Sequence, residues 1–240
     1  ALTNLDIELD FINDGLWMET DGVNLGGVRA SNLTAVIPDY SKEKLLIDTD
    51  IKGPGKAVGP YFDETPLKDS LGATLQELQL DGDVNARLHL DIPLNGELVT
   101  AKGEVTLRNN SLFIKPLDST LKNLSGKFSF INSDLQSEPL TASWFNQPLN
   151  VDFSTKEGAK AYQVAVNLNG NWQPAKTGVL PEAVNEALSG SVAWDGKVGI
   201  DLPYHAGATY NIELNGDLKN VSSHLPSPLA KPAGEPLAVN

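Results

Sequence analysis

The side chains best suited to acid–base or metal chemistry near neutral pH are the three histidines, His89, His205 and His224. A zinc site needs such ligands at short, fixed spacings, as in H-E-x-x-H, and none of the three has a partner of that kind. His89 lies between Leu88 and Leu90, which is typical of the polar side of a strand. The chain has no cysteine, so thiolate metal sites and disulfides are excluded. The sequence predicts no metal site and no cofactor.

An acidic cluster resembles the beginning of a calcium loop. Asp81, Asp83 and Asn85 occupy alternate positions, as the first ligands of an EF-hand do. That loop also needs glycine at its sixth position and an acid at its twelfth, where this chain has Ala86 and Ile92. These acidic side chains are better explained as the hydrated outer face of a strand.

Motifs for catalysis and for nucleotide binding are also missing. The glycines of residues 52–59 fit neither a Walker loop nor G-x-G-x-x-G, and no G-x-S-x-G elbow occurs. Four tryptophans are spread along the chain without basic neighbours, and 18 Lys and Arg against 31 Asp and Glu give a net charge of −13. A nucleic-acid surface needs a basic stripe beside its aromatic residues. We therefore expect neither an enzyme nor a nucleic-acid-binding protein.

The elements that would position any functional group are strands. Apolar residues recur at every second position in many segments, which predicts half-buried antiparallel strands joined by short connections. These segments are residues 5–11, 45–51, 99–107, 162–172, 197–203 and 210–218. Residues 60–72 and 180–190 break the alternation and are predicted to be short helices.

The longest alternating run is LQLDGDVNARLHLDIPL, residues 78–94. Eight of its nine even positions are aliphatic, the ninth is Gly82, and none of its odd positions is apolar. We interpret it as one strand of 17 residues, about 55 Å long, where most strands have roughly five or six residues. Asn95-Gly96 follows it and predicts a two-residue hairpin.

Long strands with one continuous aliphatic face suggest a sheet that curls into a trough. Glycines interrupt the strand patterns at positions 82, 103, 126, 170, 190 and 216, where bends and bulges can supply curvature. The floor of such a trough is apolar and offers no charges for recognising a polar ligand. It suits a lipid tail, because exposing each CH₂ to water costs about 0.8 kcal/mol. The alternative for each floor residue is ordinary core packing, since alternation fixes a face but not what touches it.

The residues predicted to face this groove share one alternation phase on the successive strands. They are Leu78, Leu80, Val84, Ala86, Leu88, Leu90, Ile92, Val99, Ala101, Val105, Leu107, Phe128, Phe130, Val164, Val166, Leu168, Val198, Ile200, Ile212 and Leu214.

The predicted fold class is mainly β, with a long, strongly bent antiparallel sheet that forms a repeating groove, and a few short helices. LDIP at 90–93 resembles IDLP at 200–203, and LSGKFSF at 124–130 resembles LSGSVAW at 188–194. These echoes suggest repeat units of about 1–72, 73–179 and 180–240. Because the chain begins at Ala1 and Leu237 and Val239 resemble the start of another strand, we expect a fragment of a longer protein.

One segment carries a family resemblance. NLSGKFSFINSDLQSEPLTASWFNQPLNVDF, residues 123–153, has the form L-x-G-x-(F/L)-x-F-x-N, then P-L-x-A, a polar turn and another strand. This pattern resembles the repeat of the AsmA-like proteins of Gram-negative envelopes. The wider chain, including residues 12–40, is similar to an internal segment of one enterobacterial member of that family.

The resemblance implies a periplasmic protein anchored in the inner membrane, with a β-groove related in architecture to bridge-like lipid-transfer proteins. It implies phospholipid as the partner, moved between the inner and outer membranes, and it implies that the protein contacts these membranes through parts outside this chain. It carries no catalytic motif. The alternative function is a structural scaffold of the envelope whose core is dry and closed.

Overall fold

The structure is a computed structural model that describes residues 2–3, 6–25, 27–57 and 72–239. Its strands, in chain order, are β1 (Leu2–Thr3), β2 (Glu8–Ile12), β3 (Gly15–Leu25), β4 (Val28–Ile37), β5 (Lys44–Pro54), β6 (Leu78–Asp81), β7 (Asp83–Pro93), β8 (Thr100–Ile114), β9 (Ser119–Ile131), β10 (Asp134–Ser137), β11 (Leu140–Trp144), β12 (Gln147–Glu157), β13 (Ala161–Trp172), β14 (Leu188–Gly190), β15 (Val192–Pro203), β16 (Thr209–Asp217), β17 (Val221–Ser223) and β18 (Ala238–Val239).

Helices are short in the described ranges. Two α-helices, α1 (Ala73–Glu77) and α2 (Glu182–Ala187), each come directly before a strand. Single 3₁₀ turns cover Tyr40–Lys42, Gly55–Ala57, Lys115–Leu117 and Pro174–Lys176. The helix predicted within 180–190 is confirmed, and most of the one predicted within 60–72 lies outside the described residues.

One antiparallel sheet contains sixteen of the strands in the described ranges. Its path is β1-β3-β4-β5-β7-β8-β9-β10-β12-β13-β15-β16-β18, with β2, β6 and β11 paired beside this path and β14–β17 forming a separate small sheet. Most strands pair with the strand that comes next along the chain, as predicted from the short connections. The mainly β, antiparallel fold class expected from the alternation is confirmed.

The predicted 17-residue strand is interrupted, and the expectation of one continuous strand is wrong. Gly82 has a φ of +96° and separates β6 from β7. The buried Asn110 side chain fills this corner, donating from Nδ2 to the carbonyls of Asp81 and Asp83 at 3.1 Å each. The bend removes the two carbonyl groups from strand pairing, and Asn110 replaces their hydrogen-bond partners. The apolar and polar residues therefore keep their alternation on both sides of the bend.

The connection from β7 to β8 also differs from the prediction. A two-residue hairpin at Asn95-Gly96 would pair the adjacent residues, but the ladder ends at Asp91 opposite Thr100. Asn95 Oδ1 instead accepts a hydrogen bond from the Glu97 amide, which stabilises a longer loop. Val99, predicted to face the groove from a strand, lies in this loop, about half-exposed.

Curvature comes from asparagines as much as from glycines. Asn32, Asn109 and Asn123 have φ values of 51–55° and lie where the ladder registers of β4, β8 and β9 shift. Such residues tolerate the left-handed conformation that a bulge demands. Of the six glycines predicted to bend strands, Gly82, Gly126 and Gly190 have positive φ.

A pattern of elements occurs twice. Helix α1 leads through β6 and Gly82 into β7, which ends at Pro93, and α2 leads through β14 and Gly190 into β15, which ends at Pro203. Both intervening glycines have a φ of +96°. The recurrence has the same spacing, 110 residues from Pro93 to Pro203, as the echo of LDIP in IDLP, whereas the two LSG echoes are 64 residues apart. The limits of the three repeat units stay a prediction.

Candidate functional site: the apolar face of the sheet

Cross-strand pairing places the predicted groove residues on one face of the sheet. Directly paired residues on antiparallel strands point to the same side, so each row of pairs can be followed from strand to strand. We define the central row as the set Val23, Ala30, Ile51, Ala86, Val105, Phe128, Ser137, Phe153, Val166, Val198 and Ile212. It crosses eleven neighbouring strands of the sheet path, from β3 to β16.

Parallel rows flank the central row on both sides. One contains Leu88, Gly103, Phe130 and Leu135, and continues on later strands through Val164, Ile200 and Tyr210. The other contains Val84 and Leu107 and continues through Val151, Leu168 and Leu214. The candidate residues that these rows contain therefore lie on one shared face of the sheet.

Three buried hydroxyl groups on this face are hydrogen-bonded within the protein. The buried Ser137 is the polar member of the central row, and its Oγ accepts a hydrogen bond from the Phe153 amide at 2.7 Å. Thr49 and Thr155, also buried, donate to the carbonyls of Ser31 and Ser133 at 3.0 Å. These groups therefore have their hydrogen-bonding needs met without a ligand.

The face is closed in the middle and open at the C-terminal side. Val84, Val105, Leu107 and Val164 are buried, and the first three belong to a core cluster with Leu121, Leu124, Leu140, Ala142, Leu149 and Val151. Leu78, Leu80, Ala86, Leu88, Leu90, Ile92, Ala101, Phe128, Phe130, Val166, Leu168, Val198 and Ile200 are half-buried. Ile212 and Leu214 expose 66% and 57% of their surface. Which of these residues contact a lipid stays a prediction.

The sheet curls strongly around this face. Leu75 of α1 packs against Tyr162 and Val164 of β13, yet it is only three residues from Leu78, which pairs with β8. On a flat sheet the path from β8 to β13 would cross four strand spacings, about 19 Å, whereas three residues of helix span about 5 Å. Curling of the sheet brings β13 under the helix.

Tyr162 fixes the floor beneath that helix. Its side chain is fully buried, and its hydroxyl donates to the Ser133 carbonyl at 2.7 Å and lies 2.8 Å from Thr155 Oγ1. Burial raises the pKa of Tyr162 to about 12, because the phenolate would lose its hydration. Ser133 in turn donates to the Glu157 carboxylate. This network ties the β9–β10 turn to the hairpin of β12 and β13.

An aromatic cluster lies near the opposite end of β13 from Tyr162. Trp172 contacts Trp144 and Trp194 edge-to-face, with ring centroids 6.2 and 4.7 Å apart, and Phe145 stacks on Trp144. Sequence reasoning treated the tryptophans as dispersed packing residues. Their spacing along the chain carries no signal of this cluster, because the meander alone brings β11, β13 and β15 together.

The opposite face of the sheet is hydrated and charged. His89, expected there, has its Nδ1 2.8 Å from Asp48 Oδ1. Arg87 Nε lies 3.5 Å from Asp50, and Lys127 Nζ 2.7 Å from Glu104. A shallow hollow of about 600 Å³ on the polar face is lined by both of these last two ion pairs and by Lys52. Its cations are already paired with acids, so it does not resemble an anion site.

The described ranges contain no group of three or more His, Cys, Asp or Glu side chains arranged to hold a metal ion. No helix in the same ranges has the length and apolar character needed to cross a membrane.

Comparison with known proteins decides the family. A family model described as "YhdP protein" matches residues 1–240. The chain belongs to the YhdP family. It is 99% identical over 240 residues to the Escherichia coli K12 protein named "Intermembrane phospholipid transporter YhdP". No solved structure matches the chain.

The match covers the whole chain but only 19% of the E. coli YhdP family member. The resemblance inferred from the repeat pattern is confirmed. The chain therefore spans about one fifth of the length of this relative. What the whole relative moves, and between which compartments, comes to this chain only as a proposal.

Proposed function

We propose that the chain forms part of a groove that shields the acyl chains of phospholipids while they move between the inner and outer membranes. The observation that carries this proposal is the central row, which crosses eleven neighbouring strands and is apolar on every one of them except β10, where it contains the buried Ser137. Ten strand spacings correspond to about 48 Å along the sheet. One leaflet of a bilayer has hydrocarbon only about 15 Å deep. The face is therefore longer than a single tail and suits a track better than a pocket.

The energetics favour such a track. A tail of about 15 carbons costs on the order of 12 kcal/mol to expose to water, at about 0.8 kcal/mol per CH₂. An apolar floor lowers most of that barrier, while the headgroup stays in water outside the groove. The chain has a net charge of −13, and its ion pairs Arg87–Asp50 and Lys127–Glu104 lie on the face opposite the floor. Charged headgroups are further screened by salt beyond about 8–10 Å.

The proposed role is non-catalytic. It requires a continuous surface and not convergent reactive groups, and the hydroxyls of Thr49, Ser137 and Thr155 on this face are occupied in hydrogen bonds of the fold. The name of the E. coli relative, a transporter of phospholipid between membranes, supports the same role. A location in the periplasm follows from that role, with an inner-membrane anchor supplied by parts of the protein outside this chain.

The test uses Ile212, the most exposed member of the central row. In the full-length E. coli relative, Ile212→Asp places a charge on the floor at a position where folding does not depend on burial. Phospholipid transport should fall about tenfold or more, because a charge adds well over 1.4 kcal/mol to the passage of a tail. Native mass spectrometry should show less co-purified phospholipid.

Asn211→Asp is the matched control, since it introduces the same charge one residue away on the polar face. Transport and bound lipid should match the unmodified protein. Equal effects of the two variants, or a purified protein that carries no phospholipid at all, would support the scaffold with a closed core instead.

A further inference from the structure

The apolar face is covered at one place by a helix of the chain itself. Leu75, on α1, packs against the Tyr162 and Val164 floor, which Leu135 and Ile200 also contact from neighbouring strands. Tyr162 is fully buried and Val164 is 8% exposed, so no space for a tail is left at this point. On the same face, Ile212 is uncovered. The face is thus covered at Tyr162 and Val164, as it is at the core cluster in its middle, and it is open at Ile212.

Helix α1 is held at both sides of the groove. On one side, β6 pairs with β8 directly after the helix, and Glu77 forms an ion pair with Lys115 at 3.2 Å. Both side chains of that pair are about half-exposed, so the pair is screened and weak. On the other side, Leu75 reaches the floor at β13.

We propose that α1 is a displaceable plug, in which Leu75 occupies the position that a lipid tail takes when it passes over Tyr162 and Val164. This inference rests on the proposed function. A helix of five residues has little stability of its own, so its position depends on what its side chains contact. A lipid tail has many more methylene groups than the Leu75 side chain and makes a larger apolar contact with the floor. An arriving lipid therefore displaces the helix, and the helix returns when the lipid leaves.

The plug covers the apolar floor of the groove when no lipid is bound. An empty trough exposes its floor to water, and exposed apolar strips attract other chains. A helix that covers the floor between lipids keeps that surface dry without a permanent barrier. Passage of lipid then depends on the contact made by Leu75.

The experiment compares a covered position with an open one. In the full-length E. coli relative, a photoreactive diazirine side chain is placed at Ile200, beside Val164, or at Ile212, and phospholipid adducts formed in cells are measured. In the unmodified background we expect few adducts at Ile200 and many at Ile212. Leu75→Ala should raise the Ile200 yield about fivefold or more, because it removes three carbons from the contact, and should leave the Ile212 yield unchanged.

Two further variants serve as controls. Val184→Ala truncates a half-buried residue in the other helix, α2, and should change neither yield. Leu75→Met keeps an apolar side chain of similar volume on the floor and should behave as the unmodified protein.

The outcomes separate the plug from the groove. Equal adduct yields at Ile200 and Ile212 that ignore Leu75→Ala would overturn the plug and leave lipid transport standing. A rise at Ile200 with Val184→Ala as large as that with Leu75→Ala would also overturn it, since general loosening would then explain the result. An absence of adducts at both positions in every background would overturn the proposed function together with the plug.

Discussion

At the scale of single residues, Tyr162 shows how a polar group is built into an apolar floor. Its ring lies on the same face as Val164, while its hydroxyl bonds to the Ser133 carbonyl and lies beside Thr155 Oγ1. The floor stays apolar because the hydroxyl is directed into the fold. Alternation in the sequence placed Tyr162 on this face but gave no sign of its partners, which are 29 and 7 residues away along the chain.

The raised pKa of Tyr162 predicts a loss of stability at alkaline pH. The folded pKa of about 12 exceeds the ordinary value of 10, so the unfolded chain releases this proton first. The stabilisation is therefore complete below about pH 10 and is lost as the pH rises towards 12. Urea unfolding of the protein and of Tyr162→Phe should differ by about 1–3 kcal/mol at pH 8, and the difference should shrink by about 2 kcal/mol by pH 11.5.

Tyr210→Phe provides the comparison, since Tyr210 is 57% exposed. Its difference from the unmodified protein should stay constant with pH. A Tyr162→Phe difference that is the same at both pH values would contradict the assignment of the buried, neutral phenol.

The extent of burial along the face shows the limit of what single residues reveal. Val84, Val166 and Ile212 occupy the same kind of alternating position, yet they are buried, half-buried and 66% exposed, respectively. The period of two fixes the face of the sheet, and strand pairing fixes the row. Burial depends on what the curled sheet and α1 bring over each residue, which is information carried by distant parts of the chain.

At the scale of elements, glycines on the sheet divide into two kinds. Gly82, Gly126 and Gly190 have positive φ and bend the chain. Gly103 does not, but a Cβ built there would lie 2.2 Å from the Arg87 carbonyl oxygen and 2.8 Å from the Phe130 ring. Both kinds look alike in the sequence, because the close approach at Gly103 is created by β7 and β9 on either side of it.

Gly103→Ala should therefore destabilise the sheet through a steric clash. The neighbouring carbonyl is backbone and cannot move away without disturbing β7, so we expect a loss of about 1–3 kcal/mol in the free energy of unfolding. Gly199→Ala, on β15, is the matched control, because the nearest atom to its new Cβ is 3.9 Å away. That variant should lie within about 0.5 kcal/mol of the unmodified protein in urea melts. Equal losses in both variants would mean that the close contact at Gly103 is not the cause, since the entropy of the unfolded chain favours alanine over glycine.

Strand identity was predictable and strand irregularity was not. The alternating segments at 162–172, 197–203 and 210–218 correspond to β13, β15 and β16. The bulges at Asn32 and Asn123 begin the triplets NLT and NLS. In the sequence these triplets look like chance matches to the N-x-S/T glycosylation motif and give no sign of a bulge. A bulge is a mismatch between two strands, so its position follows from pairing across the sheet and not from the local sequence.

At the scale of the whole molecule, most strands of the large sheet follow one order of hydrogen-bonded neighbours, and β2, β6 and β11 pair beside it. The apolar face continues on the N-terminal side through Leu9, Met18, Ala35, Ile47 and Leu90, each directly paired with the next. Leu9 on this side and Ile212 on the other are 49% and 66% exposed, and both lie on the same face. A lipid that moves along the groove must pass both positions in turn.

This serial arrangement predicts how two obstructions combine. Leu9→Asp and Ile212→Asp each add a barrier, at positions separated by most of the sheet path. Suppose that each single variant lowers the transport rate of the full-length E. coli protein to about a tenth. Two successive barriers then leave about a twentieth of the normal rate in the double variant. Independent effects on one shared step would instead multiply and leave about a hundredth. The measurement is the initial rate of phospholipid movement in cells that depend on the relative.

The double variant Asn24→Asp with Asn211→Asp carries the same added charge on the polar face at comparable positions and should transport normally. A multiplied loss in the Leu9 and Ile212 pair would mean that both residues affect a single event, such as folding or loading, and the groove would not be a track. On a continuous path a lipid crosses the two barriers one after the other, so the delays at the two barriers add. An additive delay in the double variant is therefore the result expected only of a continuous path.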